Sequence, residues 1–378
     1  MNQENQLYRR LQQHLDRQPV GFASTLFGSE IRLLKQLFTT DEAKIALLLS
    51  YRPAPLAEIA GKAAPSFSEE QIAESLNRLL MKGAIGWKKK NGLDLWFIMP
   101  MIVGMYEAQD GRLTPELAAE TGDYLKTPSF GKSFLSVSPP QLRTIPINKS
   151  LPVDHPTASY DQIRELVRST RGPLVALKCL CREERARQKE PCSTTTRSET
   201  CLALGDMAAR ILLRQHGREV TREEALAILE QNEKDGLVLQ PANTQQVEFV
   251  CSCCGCCCGM LRLHQRLPHP QDFWISNFFA EISTSACTGC GRCVSRCQVK
   301  AVSLSKPTGK AILQSERCIG CGLCVPGCPV HAIQLKPKPS LSVPPQDEEE
   351  LLEQINANKK SNWRQWIIFL RAMLGLRR

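Results

Sequence analysis

The chain has 378 residues, 42% of them apolar and 23% charged, which is ordinary for globular proteins and enough for two or three domains with cores of their own. No run of eighteen apolar residues occurs, and the polar N-terminal stretch lacks an apolar signal region, so we expect neither a bilayer-spanning helix nor a secretory leader. Eighteen cysteines in such a chain point to metal ligation in a reducing cytoplasm and away from a disulfide framework.

Residues 1–24 begin with a short amphipathic helix, since Leu7, Leu11 and Leu15 recur at helical spacing before Pro19 and Gly21 stop it. Over residues 25–107, Ser29 offers a cap for the segment EIRLLKQLF, and Asp41 opens DEAKIALLLSY, with Ala43, Ala46, Leu47 and Ser50 on one side. Pro55 opens a further short helix. Ser68 then caps a longer one whose buried stripe is Ile72, Leu76, Leu79 and Leu80, and which Gly83 ends. Alternating residues on either side of Asn91-Gly92 predict a β-hairpin. Three helices followed by a hairpin resemble a winged-helix domain. That resemblance implies DNA binding, with Ser68–Lys82 in the major groove and Lys88, Lys89 and Lys90 on phosphate. Glu69, Glu70 and Glu74 on the same helix oppose phosphate, so docking to protein is the preferred reading and nucleic acid the weaker one.

Residues 108–158 are rich in Pro, Ser, Gly and Thr, with prolines at 115, 128, 139, 140, 146, 152 and 156. They read as an extended connector with short helices such as Pro115–Lys126. Residues 159–270 form a cysteine-rich middle domain expected to be mainly helical. A helix over Ser159–Ser169 leads to a short strand, LVALK, that ends at Cys179 and Cys181. Cys192 and Cys201 follow, and these four thiols could hold one cluster. Helices are predicted over Cys201–His216 and Thr221–Asp235, the second with a capping box from Thr221 to Glu224. The run CSCCGCCCG then adds Cys251, Cys253, Cys254, Cys256, Cys257 and Cys258. Soft thiolates in this number select an iron–sulfur cluster, completed with the four upstream cysteines, or else zinc or Cu(I). Gly255 and Gly259 would let backbone approach a bulky cofactor. Arg182, Arg185, Arg187 and Lys189 lie beside this site and suit charge compensation. His264, His269 and His331 have no ligand spacing and read as surface or loop residues.

Residues 278–336 carry the strongest signal. The sequences CTGCGRCVSRCQ and CIGCGLCVPGCP are both C-x2-C-x2-C-x3-C and start thirty-one residues apart. Cys287–Leu304 and Cys318–Leu335 agree at ten of eighteen positions, an internal duplication. A zinc site would want two separated pairs and no fourth ligand at x3. These motifs resemble bacterial-type ferredoxins with two [4Fe–4S] clusters. The resemblance implies one cluster on Cys287, Cys290, Cys293 and Cys328, and another on Cys318, Cys321, Cys324 and Cys297. The pattern asks for proline after the last cysteine of each motif. Pro329 supplies it once, but Gln298 follows Cys297, which leaves that exit less constrained.

Residues 337–378 open with a proline-rich linker and close with WRQWIIFLRAMLGLRR. On a helix, Trp363, Trp366, Ile367, Leu370 and Leu374 share one stripe, and Arg364, Arg371 and Arg378 the opposite one. The segment is too short to cross a bilayer and suits its interface. The whole reads as a multidomain α+β protein: a winged-helix-like N-terminal domain, the middle domain, a two-cluster ferredoxin-like domain and a terminal amphipathic helix. The net charge of +10 would compensate anionic clusters. The expected role is single-electron transfer by at least two [4Fe–4S] clusters to or from a redox partner protein, in the cytoplasm and with possible contact to the inner face of the cell membrane. No catalytic residue stands out. The competing readings are a redox-sensing winged-helix regulator and a reductase whose middle-domain cluster binds substrate.

Overall fold

The computed structural model describes residues 3–63, 66–109, 111–151 and 157–377. Pro152, Pro156 and Arg378, named above, lie outside the described residues. Contacts divide the chain into two units: 1–139 with 206–217 and 352–369, and 140–205 with 218–351 and 370–378.

In the first unit, α1 (Gln3–Arg17) buries Tyr8, Leu11 and Leu15, and the Tyr8 hydroxyl donates to the Phe38 carbonyl at 2.7 Å. α2 (Ser29–Leu37) is not capped by Ser29: left-handed Gly28 takes the N-cap position, and Ser29 is buried in the first turn. Thr39 and Glu42 form a reciprocal capping box on α3 (Thr40–Ala46), which is shorter than its apolar spacing suggests. β1 (Ala54–Pro55) leads into α4 (Leu56–Ala63). α5 (Glu69–Lys82) is capped by Ser68 and Gln71, ends at left-handed Gly83, and buries Ile72, Leu76, Leu79 and Leu80. β2 (Ile85–Lys90) and β3 (Leu93–Ile98) form the hairpin, with Trp87 opposite Trp96 and sheet order β1-β3-β2. Asn91 and Gly92 both have positive φ, as a two-residue primed turn requires. Arg210, from the segment 206–217, donates to the Trp87 carbonyl at 3.1 Å and lies over the Phe97 ring.

The proline-rich stretch is more ordered than its composition suggests. α6 (Pro115–Leu125) and α7 (Pro128–Ser136) each start with a proline behind a threonine cap, Thr114 and Thr127. Residues 142–147 are buried, extended chain in the second unit. Their amides are satisfied across the fold: Ile145 donates to Leu239 at 3.2 Å, Thr144 to Ile275 at 2.9 Å and Ile147 to Cys321 at 3.0 Å.

The expectation of a mainly helical middle domain needs correction. Along the chain come α8 (Ile163–Ser169), β4 (Leu174–Lys178), α9 (Leu180–Arg187), β5 (Glu199–Leu204), α10 (Gly205–Leu213), β6 (Arg218–Glu219), α11 (Arg222–Asp235), β7 (Val238–Pro241), β8 (Phe249–Cys253) and α12 (Gly259–Arg266). The five strands make one antiparallel sheet in the order β6-β4-β5-β8-β7. Cys201 lies in β5 and does not start a helix. Short apolar runs do not distinguish a buried strand from a buried helix by periodicity, and β5 is such a run. The capping box of α11, from Thr221 to Glu224, forms as its sequence requires.

The duplicated motifs are framed by β9 (Phe278–Ile282), α13 (Arg292–Arg296), β10 (Val302–Leu304), β11 (Ala311–Leu313) and β12 (Ile333–Pro337). β9 and β11 occupy equivalent places in the two repeats, as do β10 and β12. Pairing is exchanged: β9 runs antiparallel to β12, and β10 to β11. Two arginines fix these repeats to helix ends of the middle domain. Arg296 donates to the Leu323 carbonyl at 2.7 Å and to the Glu233 carbonyl, in the last turn of α11, at 2.9 Å. Arg317 donates to the carbonyls of Leu267, Gln265 and His264, at the end of α12. A cation on exposed C-terminal carbonyls is favourable both as hydrogen-bond donor and against the helix dipole. α14 (Glu348–Ala357) and α15 (Asn362–Met373) end the chain.

Candidate metal centres

The eight cysteines of the repeats fall into two groups, each drawing on both motifs. Cys287, Cys290 and Cys293 line one hollow together with Cys328 from the other repeat. In the second group, Cys318, Cys321 and Cys324 each feel the charge of Cys297. The glycines between the ligands have the left-handed conformation the turns need, with φ of 75° and 74° at Gly289 and Gly291, and 64° and 74° at Gly320 and Gly322.

Backbone amides converge on the sulfurs with the symmetry of the duplication. Ala311 donates to Cys287 Sγ at 3.3 Å, and Ala280, its equivalent, donates to Cys318 Sγ at 3.4 Å. Ala301 donates to Cys297 Sγ at 3.1 Å, and Ala332 to Cys328 Sγ at 3.2 Å. Lys300 and His331, the residues before these last two donors, both have positive φ, which turns the next N–H toward the sulfur. His331 is exposed, in keeping with a solvent-facing role. This donor set fits a four-iron cluster on each group: four thiols, amides aimed at sulfur, and glycines where the chain must wrap closely.

The groups differ in environment. Cys290 is exposed, and the Cys287 thiol is drawn down by the amides of Ala311 and Gly289. Cys318 and Cys324 are buried, and burial pushes the Cys324 thiol up to about 12. A Cβ on Gly322 would collide with Ser150 Oγ, so the second group lies tightly against the short turn Asn148–Ser150 that follows the extended segment.

The ten middle-domain cysteines also separate into two sets. Cys179 feels the charge of Cys201, Cys181 that of Cys179 and Cys258, Cys258 that of Cys253, and Cys253 that of Cys251 and Cys201. These six thiols form one linked set, the six-thiol ring. Cys192, Cys254, Cys256 and Cys257 gather separately, with all four sulfurs within 4.8 Å of one another. Cys192 is thus drawn away from Cys179, Cys181 and Cys201, the partners its sequence position suggests.

Arg182, buried at 5% exposure, serves both sets. It donates to the Ser252 carbonyl at 2.6 Å and to the Thr200 hydroxyl. Burial alone would lower its basicity, but the thiols of Cys179, Cys201, Cys254 and Cys192 outweigh it. Arg187 and Lys189 are exposed, so charge compensation among the four basic residues concentrates on Arg182. The Cys254 thiol falls to about 5, first through its hydrogen bond with Cys257, with Arg182 adding to the effect against burial.

Three sequence expectations change here. Gly255 does not face a cofactor: a Cβ there would lie 2.2 Å from the Gln298 carbonyl oxygen. Gln298 is no gap in the motif either, since its side-chain oxygen accepts from the Gly255 amide at 2.8 Å, and Gln265 bridges the carbonyls of both residues. The residue that replaces the expected proline ties the repeats to the thiol-rich loop. His264 is fully buried, edge-on to Trp274, not a surface residue. Burial, with Arg317 nearby, lowers its pKa to about 3, which keeps the ring neutral. His269 pairs with Glu316 at 2.9 Å.

Residues 280–335 match the family described as a 4Fe-4S dicluster domain. This makes the repeats an iron–sulfur domain of the ferredoxin kind. No curated protein and no solved structure matches the chain.

Proposed function

We propose that the protein is an iron–sulfur electron carrier with two [4Fe–4S] clusters in the repeats and a further iron–sulfur cluster on the six-thiol ring of the middle domain. One cluster would take Cys287, Cys290, Cys293 and Cys328, and the other Cys297, Cys318, Cys321 and Cys324. The observation that carries this reading is the symmetric set of amide-to-sulfur bonds around two thiol groups that exchange one ligand each. The difference in exposure supports a direction of flow. A redox partner protein meets the cluster beside exposed Cys290, and the buried cluster passes single electrons inward. Cys297 is followed by Gln298, whose hydrogen bond to Gly255 gives a short route to the thiol-rich loop. The test is an anaerobic reductive titration of the full chain followed by EPR. Two spin-coupled [4Fe–4S]+ signals and a third, separable cluster are expected, whereas a protein with no reducible cluster would refute the assignment.

A DNA-binding regulator is less well supported. The winged-helix-like reading of residues 25–107 rests on helices followed by a hairpin, but both basic residues of α5 are engaged. Lys82 pairs with buried Glu42 at 2.6 Å, and Arg78 bonds Ser75 at 2.8 Å beside Glu74.

For the partner surface, α15 favours a lipid interface. Trp363, Ile367, Leu370 and Leu374 from the sequence stripe are all more than 40% exposed, while Trp366 packs under Lys132. Arg364 and Arg371 are exposed on a segment without an acid, and no helix among the described residues is long and apolar enough to cross a membrane. Co-sedimentation with anionic vesicles should be strong for the full chain and lost on replacing Trp363, Ile367 and Leu370 with Ser; equal sedimentation of both proteins would remove the lipid reading.

A further inference from the structure

Among the described residues, Cys192, Cys254, Cys256 and Cys257 have sulfurs that all lie within 4.8 Å of one another. Cys192 Sγ lies 3.6 Å from Cys254 Sγ and 3.7 Å from Cys256 Sγ, and Cys256 Sγ lies 3.7 Å from Cys257 Sγ. Cys254 Sγ also lies within 4.8 Å of the sulfurs of Cys256 and Cys257. Four thiolates bound to one zinc ion at about 2.3 Å, arranged tetrahedrally, stand about 3.8 Å apart. Thiolates around a four-iron cube each bind a different corner iron and are held farther from one another. Disulfides are excluded by distance, since that bond is about 2 Å long.

We infer that Cys192, Cys254, Cys256 and Cys257 bind a single tetrahedral Zn²⁺, as a structural site separate from the iron–sulfur clusters. All four positions are thiolates and none is left open, the pattern of a closed structural site. Surrounding groups suit the resulting anion. The Thr194 hydroxyl lies 3.5 Å from Cys256 Sγ. Arg182 supplies positive charge near Cys254 and Cys192, and fully buried Leu237 walls one side. Second-shell donors of this kind orient ligands and temper the charge.

The ion clamps the loop after α9, which carries Cys192, to the loop after β8. The second loop holds Gly255 between two of the ligands, Cys254 and Cys256. Zinc therefore fixes the turn that accepts Gln298, and hence the seat of the ferredoxin repeats, without itself carrying an electron.

The site is tested on anaerobically purified full-length protein by measuring zinc and iron together, so it stands apart from the EPR assignment of the clusters. Wild type should hold one zinc per chain. Cys192→Ser should reduce zinc at least tenfold and leave iron unchanged. Cys192→His, which keeps a ligand zinc accepts, should retain the ion. Exchange with Co²⁺ should give tetrahedral d–d bands, and the thiolate charge-transfer intensity should fall by roughly a quarter in Cys192→His, as one thiolate in four is lost. Absence of zinc from wild type, zinc unchanged in Cys192→Ser, or a loss of iron in that variant comparable to a whole cluster would each overturn the assignment.

Discussion

The ferredoxin repeats and the middle domain gather the same side chain, cysteine, and assemble it by opposite routes. In the repeats, three thiols of each group come from one short motif, and the duplication delivers the fourth. The local chain, with its glycines in left-handed turns, does most of the positioning. In the middle domain the six-thiol ring takes members from the end of β4, from α9, from β5, from β8 and from the loop after it, and the sheet is what brings them together. The first arrangement is carried by spacing along the chain. The second exists only after strands far apart in sequence have paired.

The largest expected effect breaks the middle domain and spares the repeats. Replacing Cys179 and Cys181 with Ser opens the thiol ring at two adjacent members and should lower iron by about four per chain, the content of one cluster. The ferredoxin EPR signals should persist. Loss of all signals together would mean the two regions are not independent centres.

Gly255→Ala is next. The added Cβ would meet a backbone oxygen, which cannot swing aside as a side chain could. Overpacking of this kind costs about 1–3 kcal/mol, and chemical denaturation should show it. An unchanged midpoint would mean that the thiol loop does not rest against Gln298.

Arg296→Ala sharpens the comparison at the other contact, where the repeats meet the end of α11. Loss of charge-assisted bonds to helix-end carbonyls should cost about 1–2 kcal/mol, with cluster content unchanged. The smallest effect is expected for Gln298→Pro, which restores the motif's usual residue. It removes one hydrogen bond to Gly255, about 0.5–1.5 kcal/mol, while the cluster beside Cys297 should keep its EPR line shape. A changed line shape would show that Gln298 tunes the cluster as well as seating it.

This contrast also explains what could be read from the sequence. The hairpin at Asn91-Gly92, the cap at Ser68 and the capping box at Thr221 depend on residues within a few positions of each other, and each forms as read; the cysteine spacing of the cluster motifs is equally local. Other features depend on distant chain. Cys201 looked like a helix start because nothing local reveals that Ala203 will pair with Phe249. Cys192 could not be assigned to Cys254, Cys256 and Cys257 from spacing alone. Residues 142–147 read as linker because of the prolines in and around them, yet their amides find partners ninety or more residues away. Gln298 carried a usable signal, since a departure from a strong motif marks a place where another constraint acts.

The exchange of ligands between the two motifs is the central claim, and Cys297 tests it most directly. Cys297 is in the first motif by sequence, but Cys318, Cys321 and Cys324 of the second each feel its charge. EPR of the dithionite-reduced Cys297→Ser protein should therefore match that of Cys321→Ser, with the cluster of Cys287, Cys290, Cys293 and Cys328 intact. If Cys297→Ser instead matched Cys290→Ser, each motif would hold its own cluster and the crossed arrangement would be wrong.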